Sequence, residues 1–87
     1  MAYSIRTSKS FEKDYKGLAL PFQKILDKQL AFLLENFRHP SLRIKKIEGS
    51  QNIWEGRVTK DHRFTFEIVG QIYYMRRAGN HKILNDP

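Results

Sequence analysis

The stretch WEGRVTKDHRFTFEI, residues 54–68, reads as two β-strands joined by a tight turn at Lys60-Asp61. Strand side chains alternate between faces, so Trp54, Gly56 and Val58 share one side while Glu55 and Arg57 take the other. On the second strand Phe64, Phe66 and Ile68 go to the core, leaving Arg63, Thr65, Glu67 and Val69 opposite. Pairing the strands as a hairpin brings Arg57 and Arg63 close together on the uncovered face. The question this raises is why so short a chain puts two arginines there.

Working outward, AYSIRT (2–7) alternates as an opening strand. Ser8 is placed to cap a short helix, SKSFEKDYKG, with Phe11, Tyr15 and Leu18 at helical spacing and Gly17 as its stop. Pro21 suits the first turn of a second helix, LPFQKILDKQLAFLLENF. Its apolar stripe is Phe22, Leu26, Leu30, Leu33 and Phe37, widened by Ile25 and Leu34. Pro40 ends it. Strand-like stretches follow at 42–48, 53–59, 62–69 and 72–79, with a short tail element at 82–85. The expected order is β-α-α-β-β-β, an α+β fold with two N-terminal helices packed on one face of a small twisted antiparallel sheet. The other face should be open.

With 87 residues the chain makes one domain, spanning 1–87, with one modest core. It has no cysteine, which excludes disulfides and thiolate metal sites. No apolar run is long enough to cross a bilayer and the first residues lack a signal-peptide centre, so a cytoplasmic protein is expected. The net charge of +7 and pI near 9.9 favour a polyanionic or acidic partner. Both halves of the chain carry the excess, so a basic surface must come from folding.

Strand parity gathers Arg57, Arg63, one of Lys45 and Lys46, and one of Arg76 and Arg77, with His81 at the end of the last strand. Ile44 and Ile47 break the period and indicate a bulge near the two lysines. Guanidiniums grip phosphate oxygens bidentately, and an imidazole beside them can move a proton on or off a phosphodiester. RNA carries its own nucleophile in the 2′-hydroxyl, and the acidic residues show no metal-ligand spacing, so neither metal nor other cofactor is expected. Taken singly, each arginine on an exposed strand is more simply a solubilising group in a cross-strand pair such as Glu55/Arg63 or Glu67/Arg76. His39 and His62 read as structural, and Trp54 as core.

The patterns W-x-x-R-[VI]-x-x-[DE]-[HY]-R-x-x-[FY] at 54–66 and R-x-G-x-H at 77–81, with the early FEKDYKGL, resemble the RelE/ParE superfamily of type II toxin–antitoxin toxins nearly end to end. The first is similar to the YoeB branch and RRAGNHKIL to the YafQ branch. The resemblance implies a RelE-like fold and a metal-independent, ribosome-dependent endoribonuclease (an mRNA interferase) cutting mRNA in the ribosomal A site. It implies Arg63 on the scissile phosphate, Arg57 at the basic position one strand earlier, and His81 as general acid or base. Lys45, Lys46, Arg76, Arg77 and Asp61 would contact RNA. The implied partner is a cognate antitoxin with an acidic, partly disordered segment, in a hetero-oligomer. One departure stands out: Lys82-Ile83-Leu84-Asn85 has no aromatic where many RelE-branch toxins carry one. Two alternatives therefore stay open, a ParE-like poison of DNA gyrase and a non-catalytic relative that only binds its antitoxin.

Overall fold

The computed structural model describes residues 2–87. Strand β1 (Ser4–Thr7) leads through Ser8 into α1 (Lys9–Gly17), followed by α2 (Leu20–Glu35) and a 3-10 turn at Pro40–Leu42. Strands β2 (Lys45–Lys46), β3 (Ile53–Arg57), β4 (His62–Val69) and β5 (Ile72–Asn80) come next, and a second 3-10 turn, His81–Asn85, closes the chain. Each of the four strand-like stretches after the helices thus holds a strand, one more than the order β-α-α-β-β-β counts.

The sheet order is β1-β5-β4-β3-β2. Every pair is antiparallel except β1 with β5, so the expected antiparallel sheet is a mixed one. Past Thr7 the edge of β5 has no strand beside it, and α1 takes over. Ser8 N–H donates to Met75 O (3.0 Å) and Asp14 Oδ2 accepts from Ala78 N–H (3.0 Å). Ser8 also caps α1, accepting from Phe11 N–H, while its own hydroxyl donates to Arg76 O (3.0 Å). One side chain thus starts the helix and fastens it to the last strand.

The core lies between α2 and the sheet, built on Leu26, Leu33, Leu42, Phe64, Phe66 and Met75, all essentially sealed from solvent. Gly56 is required where it stands, since a Cβ there would lie 2.2 Å from Cζ of the Phe64 ring. On α2 the expected stripe through Leu26, Leu30 and Leu33 faces the core, but Ile25 and Leu34 do not widen it: both are exposed, and polar Gln29 is buried between Leu26 and Leu33. Gln29 is tolerated because its amide finds two backbone carbonyls, those of Arg57 (2.7 Å) and Ser41 (3.1 Å).

The 42–48 strand shrinks to two residues, because Leu42 belongs to the 3-10 turn, Arg43 is left-handed (φ 46°, ψ 48°) and Gly49 has φ 85°. The register irregularity expected beside the lysines lies instead on β5. There Thr65 pairs with Arg77 and Phe66 with Met75, so Arg76 is the extra residue. This settles the faces of β5: Tyr73, Met75 and Ala78 point to the core and Tyr74 outward.

Candidate functional site

The face away from the helices is only partly open. Ile83 of the C-terminal turn is buried against it, 3.1 Å from where a Cβ at Gly79 would stand, and Thr65 has no exposed surface at all. The Thr65 hydroxyl has no hydrogen-bond partner among the described residues. Sequence parity put Thr65 on the open face correctly but gave no sign that the tail covers part of that face.

The β3–β4 register sets Arg57 opposite Arg63, and β2–β3 sets Lys45 opposite Glu55. These four residues and Arg43 line a depression of about 280 Å³. Glu55 is nearly buried and sits 3.7 Å from Arg63 Nε. The Arg63 guanidinium folds back over the turn, with Nη1 donating to the carbonyls of Thr59 (2.7 Å), Lys60 (3.0 Å) and His62 (3.0 Å). The side chains of Arg43, Lys45 and Arg57 have no hydrogen-bond or ion-pair partner among the described residues. The depression therefore carries three uncompensated cations, and its one carboxylate is matched to Arg63. Such a surface concentrates anionic groups.

The remaining candidates lie elsewhere. Lys46 pairs with Trp54, so it shares the helix-side face, and the choice between the two lysines falls to Lys45. Arg76 donates to Glu67 (2.8 Å) and to Pro87 O (2.9 Å). Arg77 is bound to Asp14 (2.7 Å) and Asp86 O (3.2 Å), and the hydrogen bond to Asp14 raises its already high pKa. Both arginines line a different depression with Ser8, Ser10, Tyr74, Asp86 and Pro87, where acidic partners neutralise them. Asp61 is exposed at the β3–β4 turn. His81 is exposed at the start of the C-terminal turn and does not line the Arg57–Arg63 depression. Both cross-strand pairs named from the sequence, Glu55 with Arg63 and Glu67 with Arg76, are formed. His62 stacks on Phe22 (4.2 Å) and His39 on Phe32 (4.0 Å), both in structural roles.

Arg43 is the lining residue that sequence reasoning missed. Its signal was parity, since it stands two residues before Lys45. The signal was hidden because a 3-10 turn replaces the expected strand there. For a residue other than glycine, left-handed backbone costs roughly 1–2 kcal/mol. Among the described residues no group of three His, Cys, Asp or Glu is placed to hold a metal ion. No helix among them is long and apolar enough to cross a membrane.

No family model matches the chain, and no curated protein matches it. Solved structures do. The chain is similar to a RelB–RelE antitoxin–toxin complex from Methanococcus jannaschii, with 25% identity, TM-score 0.74, and coverage of 93% of this chain and 95% of that one. It is similar to the YoeB dimer from Staphylococcus aureus at 15% identity and TM-score 0.77, covering 91% and 97%. The E. coli DinJ–YafQ toxin–antitoxin complex gives 19% identity and TM-score 0.76, covering 97% and 98%. Two helices on one face of a mixed five-stranded sheet, superposing on these proteins over nearly the full length of both chains, assign this chain to the RelE-like toxin superfamily.

Proposed function

We propose that this chain is the toxin of a type II toxin–antitoxin pair and a metal-independent endoribonuclease that cuts mRNA on the ribosome. The observation that carries this reading is the cationic depression on the sheet face the helices leave uncovered, in a fold similar to those of RelE, YoeB and YafQ toxins. Lys45 and Arg57 hold the phosphate. Arg63 exchanges its carbonyl acceptors for phosphate oxygens, which offer the guanidinium a bidentate contact between opposite charges. The 2′-oxygen attacks the adjacent phosphorus as its proton is removed, and the leaving 5′-oxygen takes up a proton. His81, brought over the strand end by the RNA, serves one of these transfers. The antitoxin supplies an acidic segment that covers the cations until it is removed.

Primer extension on a defined mRNA in a translating system tests this. Wild-type protein should give cuts confined to translated codons, and His81→Ala and Arg63→Ala should lose them. Removing a contact to transition-state charge costs about 2.7–4 kcal/mol, a factor of roughly 10²–10³ in rate. Cuts that survive in both variants would overturn the assignment. One observation favours a second reading: His81 lies outside the depression and Arg63 is already occupied. A ParE-like poison of DNA gyrase would show intact mRNA, DNA breaks and indifference to His81→Ala.

A further inference from the structure

We propose that Arg43 is a phosphate-binding residue of the depression, gripping the phosphate next to the one held by Arg57. The proposal rests on the nuclease reading and extends it to a residue outside the expected set. Arg43 lines the depression with Lys45 and Arg57, and its guanidinium has no partner among the described residues. No aromatic side chain lines the site, so it takes the backbone of a single strand and leaves the bases outside.

The fold also holds Arg43 in an unfavourable backbone conformation that a glycine would adopt freely. The preceding turn is fixed on three sides. His39 Nδ1 accepts from Ser41 N–H (3.3 Å), Leu42 is fully buried, and Ser41 O accepts from Gln29 Nε2 (3.1 Å). The same Gln29 nitrogen donates to Arg57 O (2.7 Å). One buried amide thus ties the Arg43 turn to the Arg57 strand and fixes the roots of the two guanidiniums relative to each other. The roots of the two side chains are thereby fixed, and their guanidiniums, partnerless among the described residues, are free to reach neighbouring phosphates.

The test is a salt titration of the full-length protein with a fluorescent single-stranded RNA oligomer. Each phosphate contact contributes about 0.7 to the slope of log K against log salt. Arg43→Gly keeps the left-handed turn and relieves its strain, so its thermal melt should match or exceed wild type. Its slope should fall by about 0.7, with about tenfold weaker binding at low salt. Arg43→Lys should keep the slope, because the charge remains. Arg57→Ala should lose slope alongside Arg43→Gly. If Arg57→Ala loses slope and Arg43→Gly does not, the Arg43 assignment is overturned and the nuclease reading stands. If wild-type protein shows no salt-dependent RNA binding, the Arg43 assignment is overturned, and the nuclease reading is decided by primer extension.

Discussion

Thr65 is buried with its hydroxyl unpaired, between Arg63 and Glu67 along β4. A hydroxyl taken out of water without a partner is a loss that a methyl group of the same size avoids. Thr65→Val should therefore raise stability by about 1 kcal/mol, read as a higher urea midpoint at unchanged m. A lower midpoint would show that the hydroxyl has a partner after all. Tyr73 is buried and stacked on Tyr3 at 4.6 Å, and burial, with the charge of Tyr3 second, raises its pKa above the usual 10.0. Below pH 10 both folded and unfolded chains carry the neutral phenol. Above it the unfolded chain loses the proton first, so stability falls as pH rises through that value. Tyr73→Phe should flatten the alkaline limb of a stability–pH curve, and an unchanged limb would refute the account. Face assignments of this kind were legible on β3 and β4, where Phe64 and Phe66 alternate cleanly with Arg63 and Thr65. Tyr73-Tyr74-Met75-Arg76-Arg77 offered two possible parities, and the extra residue at Arg76 resolves them only in three dimensions.

At the scale of the element, the β3–β4 hairpin depends on one absent side chain. Phe64 fills the space over Gly56, so Gly56→Ala forces either the ring or the strand to move. Overpacking of this severity should cost about 3 kcal/mol or more. A melting temperature within a few degrees of wild type would show that the ring can step aside. The helices were legible from their caps and stops, Ser8 and Pro21 at the starts and Pro40 after the second. Which residues flank the buried stripe of α2 was not. Ile25 and Leu34 look like core on hydropathy alone, yet Gln29 is buried in preference because it satisfies two carbonyls on separate elements. Periodicity measures apolar character and is blind to such pairing. The same limit explains the 42–48 stretch, where Leu42, Ile44 and Ile47 read as strand and the backbone turns instead.

For the whole molecule, the parallel pairing of β1 with β5 decides closure. It joins Ser4–Thr7 to Ile72–Met75, a contact with no local signal, which is why the sequence indicated antiparallel pairing throughout. Deleting residues 2–7 should expose the β5 edge and remove a strand that buries Tyr73. Loss of the cooperative thermal transition is the expected result, and a truncated chain melting like the full one would show the strand to be dispensable. The candidate site was legible in its Arg57–Arg63 half because one hairpin carries it. Its Arg43 half depends on a turn that the sequence does not announce, and the engagement of Arg76 and Arg77 by Asp14, Asp86 and Glu67 required the fold itself.

That parallel pair has a consequence for how the protein is born. The opening strand has no neighbour until β5 has been made, so the sheet cannot be completed before all five strands are out. A nascent copy carries an incomplete sheet until β5 has left the exit tunnel. For a protein proposed to act against translation, this is a built-in delay.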